Sequence, residues 1–256
     1  ATTTASFDIA AIELMLPLTI GARVELLSRA IATNGQALAT ALSASGATVV
    51  QATPSAWRML VEAGWEGGTE VLAITGGEPL TRDLADRLLT RVGALWNGYG
   101  PTETTIYSSG CFIKPDGAAI SIGRPIANTR IYVLDANDEI APVGMRGEIC
   151  IAGEGVSSGY HGMLSETESR FRPDTFTSMT DGSGAEPRYY KTGDIGRWSS
   201  DGNLYYLGRS DHQVKIRGMR IELGEIESVL AAHKAIRQAI VVVGEAGKDD
   251  LRLVAY

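Results

Sequence analysis

The chain has 256 residues, 44% of them hydrophobic and 21% charged, and a net charge of −7. That is enough apolar material for a real core, and without a Lys/Arg block it argues against a nucleic-acid or anionic-membrane surface. Two cysteines, Cys111 and Cys150, and three scattered histidines, His161, His212 and His233, count against a disulfide framework and against a Cys- or His-rich metal site. No apolar run reaches the ~20 residues of a membrane helix; the longest, 12–27, is interrupted by Glu13, Pro17 and Arg23. The opening ATTTASFD has neither a basic region nor an apolar one, so no signal peptide is read there and a cytoplasmic location is expected. The chain lacks an initiator Met, and both ends are expected to be cut from something longer.

Residues 7–105 alternate helix-like and strand-like segments. Gln36–Ser45 reads as a helix, and TVVQAT (48–53) as a buried strand. Thr53-Pro54 supplies a cap and a first-turn proline for a helix through Glu62. EVLAIT (70–75) is a second strand, followed by the turn GGEPL. Thr81 caps an amphipathic helix to about Val92, and ALWN (94–97) is a short strand running into GYGPTE. This alternation predicts an α/β fold with a parallel, doubly wound sheet over 1–117. From 118 to 210 the short segments RIYVLD, GEICIAG, YYKTGD, IGRWSS and NLYYLGR, divided by Gly, Asn and Asp turns, predict a β-rich, barrel-like region. A boundary is expected near Asp211. Beyond it come a two-stranded element with a turn at Gly218, a helix over 224–233 and a final strand, AIVVVGE: the start of a small α+β unit, 211–256. MTDGSGAEPR (179–188) is expected to be a surface loop.

The usual nucleotide signatures are missing. There is no GxxxxGK[ST], no GxGxxG, no HExxH and no GxSxG. NGYGPTETT (97–105) leaves a strand with tight glycine backbone and then offers a flat ring, a hydroxyl and a carboxylate. At the carboxyl edge of a parallel sheet such a loop is where ligands bind; it reads equally as a strand-to-helix turn capped by Thr102. GGEPL (76–80) at the same edge reads, alone, as a simple turn. YKTGD (190–194) reads as a turn former at Asp194, although one carboxylate can accept both hydroxyls of a ribose. GRSDHQVKIRG (208–218) reads, alone, as a solvated charged hairpin.

Together these strings resemble the adenylate-forming superfamily, and within it the adenylation domains of nonribosomal peptide synthetases. The resemblance is carried by FD (7–8), NGYGPTET (97–104), GEICIAGEGVSSGY (147–160), YKTGD (190–194) and the 20 residues GRSDHQVKIRGMRIELGEIE (208–227), and it spans essentially the whole chain. It implies a partial large subdomain, 1–210, followed by the beginning of a small one, hinged at Asp211. It implies attack of an amino-acid carboxylate on the α-phosphate of ATP, release of pyrophosphate, and transfer of the acyl group to the phosphopantetheine thiol of a carrier domain, with a condensation domain as a further partner.

The resemblance also assigns residues. Tyr99 is expected to stack on adenine, with Gly76, Gly77, Glu78, Asn97, Gly98 and Gly100 around the nucleotide. Thr102 contacts a phosphate, Glu103 holds Mg²⁺, Asp194 binds the ribose, Arg209 lies near ribose and phosphates, and Tyr206 is a further nucleotide contact. Lys215 and Gly218 belong to the loop facing the site during thiolation. Asp8 pairs with the substrate ammonium, which disfavours plain fatty or aryl acids. Ile9, Ile12, Gln51, Ile74, Gly76, Gly98, Ile106 and Tyr107 line the amino-acid pocket, and their combination looks like the glycine-selective version of the family, with alanine second. An acyl- or aryl-CoA ligase of the same superfamily and a non-catalytic nucleotide-binding domain are the competing readings. The Ser/Thr/Gly-rich phosphate loop and the late lysine that the resemblance implies are not in this sequence, so the isolated chain is expected to adenylate very poorly.

Overall fold

Alternation along three parallel strands decides what faces what. Strand β1 (Val49–Ala52) pairs with β2 (Gly68–Thr75), and β2 with β3 (Val92–Tyr99), in the registers Val50–Ala73–Leu95 and Gln51–Ile74–Trp96. Successive side chains point to opposite faces. Val50, Ala73 and Leu95 therefore share one face and join the main core, while Gln51, Ile74 and Trp96 share the other. Strands β4 (Ser109–Phe112) and β5 (Arg124–Pro125) extend the sheet antiparallel beyond β3.

Chain in order, the short helical turns α1 (Ala10–Leu14), α2 (Leu16–Thr19) and α3 (Arg29–Ala32) come before helix α4 (Gly35–Ser45), and α5 (Pro54–Glu62) and α6 (Arg82–Leu89) follow. Asn34, Thr53 and Thr81 cap α4, α5 and α6 through side-chain oxygens, as the two threonines predict from sequence. Leu38, Trp57, Leu60, Leu84 and Leu88 from these three helices fill the core against the Val50–Leu95 face.

A second, antiparallel sheet runs in the order β10 (Leu204–Arg209), β9 (Arg188–Trp198), β7 (Gly147–Gly153), β6 (Thr129–Leu134). Helix α7 (Leu164–Arg170) leads into β8 (Phe171–Pro173), which also pairs with β9. Gly123 joins the two sheets: it bridges Leu204, and its left-handed backbone (φ 77°) passes so close to the Gly110 carbonyl that a Cβ there would collide. The result is the expected mixed fold, a parallel sheet beside a curled antiparallel one.

The computed structural model describes residues 1–177, 186–211, 213–216, 219–245 and 251–256. Two compact units emerge, Ala1–Gly208 and Arg209–Tyr256. The second contains the hairpin β11 (Gln213–Ile216) and β12 (Met219–Glu222), helix α8 (Leu223–Ala231) and the pair β13 (Val241–Glu245) and β14 (Leu251–Ala255). The turn expected at Gly218 lies outside the described residues, as does most of the loop expected over 179–188.

Three expectations are corrected. YYKTGD and IGRWSS are one 11-residue strand, β9, not two; Asp194 therefore lies within a strand, where the β7–β9 register shifts, and not in a turn. ALWN is the middle of an eight-residue strand that carries Asn97, Gly98 and Tyr99 to its end. AIVVVGE is not the last strand, because β14 pairs back onto it.

Candidate nucleotide and amino-acid site

Tyr99 ends β3 and its hydroxyl donates to Oδ2 of Asp194 at 2.6 Å, across 95 residues of sequence. Both are buried, Tyr99 7% and Asp194 2% exposed. The Tyr99 ring packs with Ile122, Ile131, Ile149 and Leu204, and lies 6.4 Å from the Tyr206 ring. Burial, and then the neighbouring Asp194 charge, pushes the Tyr99 phenol well above its ordinary value, so it stays a donor. Asp194 is aimed by its own strand: its N–H donates to Thr192 Oγ1 at 2.9 Å, and the Gly193 N–H donates to Glu148 Oε1 at 2.9 Å.

After Tyr99 the chain turns through Gly100 and Pro101 into a short 3₁₀ turn, Thr102–Thr104. Thr102 is exposed and starts this turn rather than capping it; the residue before it, Pro101, caps with no side-chain bond. Glu103 is 8% exposed, and its Oε1 accepts from the Tyr160 hydroxyl at 2.7 Å and the Tyr190 hydroxyl at 2.8 Å. Tyr190 and Asp194 are both on β9, so one strand reaches both predicted carboxylate positions. Burial, and then the hydrogen bonds to Tyr190 and Glu103, raises the Tyr160 phenol far above its ordinary value.

The segment then does something unusual. Thr105 and Ile106 both have left-handed backbone (φ 63° and 68°), and the Tyr107 N–H reaches back to the Thr105 carbonyl at 2.9 Å. A branched residue at the centre of such a γ-turn costs on the order of 1–3 kcal/mol. The turn delivers Tyr107 onto the Gln51–Ile74–Trp96 face. There its ring meets Trp96 edge-on at 5.1 Å, and its hydroxyl donates to Gln51 Oε1 at 2.8 Å. A Cβ at Gly76 or Gly98 would come within 2.6 or 2.7 Å of that ring, which is why glycines stand at both positions. Gln51 is 5% exposed, and its Nε2 makes no hydrogen bond among the described residues.

The segment carrying Asp8 packs beside this face, with Phe7 and Ile9 at 3.5 and 3.9 Å from the position of a Cβ on Gly77. Asp8 does not cap α1, which opens at Ile9 with no side-chain bond. Burial raises the Tyr107 phenol, and the charges of Asp8 and Glu13 add to it, so both carboxylates act on this pocket. Glu13 also gathers the Thr2 and Thr3 N–H groups. Ile12 and Ile106 are half-buried.

Other predicted residues serve the scaffold in this structure. Glu78 accepts from the Ser55 N–H and hydroxyl at 2.9 and 2.7 Å, fastening the GGEPL turn to the start of α5. The Asn97 amide donates to the Ser121 carbonyl at 2.9 Å. In the second unit Arg209 makes a two-pronged pair with Asp211, Nε to Oδ1 at 2.7 Å and Nη2 to Oδ2 at 2.8 Å. Lys215 lies on β11 opposite Arg220. Sequence reasoning missed Tyr160, Tyr190, Glu148 and Thr192. The two tyrosines stand in strings that carry the resemblance, GEGVSSGY and YKTGD, from which Asp194 alone was taken.

The AMP-binding enzyme family matches residues 1–161. The chain belongs to that family. Its relatives place it among the adenylation domains of nonribosomal peptide synthetases. It is 43% identical over 257 residues to a dimodular nonribosomal peptide synthase of Bacillus subtilis (strain 168), covering 100% of this chain and 11% of that protein. It is 40% identical over 259 residues to a linear gramicidin synthase polypeptide of Brevibacillus parabrevis, covering 100% of this chain and 5% of that one. Among solved structures, a four-domain synthetase bound to AMP and glycine matches at 43% identity and TM-score 0.75, over 99% of this chain and 19% of that one. The Vibrio cholerae adenylation domain AlmE, in complex with glycyl-adenosine-5'-phosphate, matches at 25% identity and TM-score 0.86, over 99% and 48%. The chain thus spans a small fraction of the curated relatives it matches.

For a member of the AMP-binding enzyme family the metal question is narrow. Among the described residues no three His, Cys, Asp or Glu side chains gather. A buried carboxylate at Glu103 is a hard oxygen donor, and one such donor suits Mg²⁺, which keeps several waters and takes its other ligands from substrate phosphates. The donor set fits. No described helix is long and apolar enough to cross a membrane.

Proposed function

We propose that this chain forms the nucleotide edge and amino-acid pocket of an adenylation domain that activates glycine, with alanine second, for transfer to a carrier-domain phosphopantetheine. The observation that carries the glycine reading is the filled end of the pocket. Tyr107, driven in by the strained turn and tied to Gln51, lies against Gly76 and Gly98, where even a methyl group would collide. A side chain longer than a methyl would have to displace a buried ring. Glycine and glycyl-adenylate in two similar structures support the same reading.

In this reading Asp8 meets the substrate ammonium, Asp194 and the Tyr99–Tyr206 pair hold the nucleoside, and Thr102 reaches a phosphate. Glu103 would hold Mg²⁺, which when bound neutralises phosphate charge as the carboxylate attacks and pyrophosphate leaves. The chain's own contribution is mainly positioning. Arg209 and Lys215 belong to a unit hinged at Asp211 and act in different half-reactions.

ATP–pyrophosphate exchange by a synthetase polypeptide carrying this segment tests the assignment. Glycine is expected to drive exchange best, alanine less, and a bulky amino acid least; Tyr107→Ala is expected to narrow that order. Strong exchange with a bulky amino acid and none with glycine overturns it. The isolated 256-residue chain is expected to exchange poorly even with glycine.

A further inference from the structure

Glu103 is held with more care than its local turn requires. Its Oε1 takes two phenolic donors, and those phenols lie 3.2 Å from one another. Both rings are fixed from behind: Phe171 packs against Tyr160 at 5.5 Å and against Tyr190 at 5.0 Å. The Tyr160 backbone is pinned as well, its N–H donating to Thr167 Oγ1 at 2.9 Å, while Gly159 (φ 131°) sits where a Cβ would strike the Thr167 methyl. The loop that carries Tyr160 also clamps the main chain around Glu103. Ser157 N–H donates to the Glu103 carbonyl at 2.9 Å, and Thr105 Oγ1 donates to the Gly155 carbonyl at 2.8 Å. Three separate stretches of chain, 103–105, 155–160 and β9, converge on one carboxylate.

Taking a carboxylate out of water is costly unless it is well hydrogen-bonded. Two O–H donors on one oxygen offset that cost and fix the plane of the group. We infer that Tyr160 and Tyr190 are positioning residues for Glu103, setting the orientation in which its carboxylate meets the divalent cation of a metal–nucleotide complex. This rests on the adenylating reading above. Neither tyrosine touches the reacting atoms; each acts through Glu103, as partners behind a metal-ligating carboxylate do elsewhere.

The test uses a complete adenylation domain carrying this segment, with Mn²⁺ as the spectroscopic cation and α,β-methylene-ATP as the nucleotide. Electron paramagnetic resonance reads bound Mn²⁺, and calorimetry with AMP in metal-free buffer reads the nucleoside site separately. Tyr160→Phe and Tyr190→Phe each remove one hydroxyl and keep the ring against Phe171. Each is expected to weaken Mn²⁺ binding in the ternary complex roughly tenfold, with a much smaller change in AMP affinity. Tyr132→Phe deletes a hydroxyl elsewhere, one bonded to Asp174 at 3.2 Å, and should leave Mn²⁺ binding unchanged. If Tyr190→Phe does not fold, Tyr160→Phe, the less buried of the two, carries the test. Unchanged Mn²⁺ binding in a folded variant, or parallel losses of Mn²⁺ and AMP, overturns the inference alone. A wild-type complete domain that binds neither AMP nor the metal–analogue complex overturns the adenylating reading and the inference with it.

Discussion

The proposed nucleotide edge and the proposed amino-acid pocket meet along one stretch, Gly98–Tyr107, yet opposite means hold them. At the edge, Asp194 and Glu103 are buried carboxyl groups answered by hydroxyl donors from Tyr99, Tyr160 and Tyr190. In the pocket, space is set by glycines and one ring, and a buried donor, Gln51 Nε2, has no partner among the described residues. In the proposed reading a sugar or cation joins polar contacts already in place, so the edge is organised before ligand arrives. The proposed pocket would discriminate by exclusion, which needs a wall and little else. Substitutions at the edge are therefore expected to cost binding, and substitutions in the pocket to change which ligand is taken.

The largest effect expected is at Asp194. Asp194→Ala removes the acceptor proposed for the ribose hydroxyls and takes from the Tyr99 hydroxyl its 2.6 Å carboxylate partner. Charge-assisted hydrogen bonds contribute about 1.5–3 kcal/mol each, so AMP affinity measured by calorimetry should fall on the order of a hundredfold. Tyr99→Phe should cost far less, since it leaves the carboxylate in place. Equal losses from both variants would mean that the pair serves folding rather than nucleoside binding.

Next comes Gly98→Ala, on the pocket side of the same segment. Its Cβ would collide with Trp96 Cζ3 and lie 2.7 Å from Tyr107 Cδ1. Overpacking of this kind costs about 1–3 kcal/mol, a drop of roughly 3–10 °C in Tm for a unit of this size. A glycyl-adenylate analogue should lose more affinity than AMP does, because the added methyl enters the amino-acid pocket. If AMP and the analogue weaken together, the edge and the pocket are one coupled site rather than two separable ones.

How far the sequence anticipates this arrangement depends on the range of the contacts. The pocket face is legible in part: the resemblance points to Gln51 and Ile74, and the strands around them read from sequence, but Trp96 joins that side only through the register between strands, which no single strand states. The capped helices are legible because Thr53 and Thr81 act three residues ahead. The Glu103 clamp is not, since its donors are 57 and 87 residues away and nothing local marks Tyr160 or Tyr190. Gly193 misled for a physical reason. Its left-handed backbone (φ 74°) reads as a turn, but the Glu148 carboxylate takes its N–H at the register shift and lets β9 run on.

The smallest effect concerns the polar link between Tyr107 and Gln51 inside the pocket wall. Tyr107→Phe removes the donor to Gln51 Oε1 and leaves a buried amide with no partner on either end. A buried polar group left unsatisfied costs about 1–3 kcal/mol, whereas replacing both partners by apolar groups of similar shape is close to neutral. Tyr107→Phe is thus expected to lower Tm by a few degrees, and the double change Tyr107→Phe with Gln51→Leu to restore most of it. The Phe ring still fills the space beside Gly76 and Gly98, so both variants should keep the preference for glycine over bulkier amino acids. If the double variant turns to a larger amino acid while remaining as stable as wild type, the hydrogen bond, and not the bulk of the ring, is what closes the pocket.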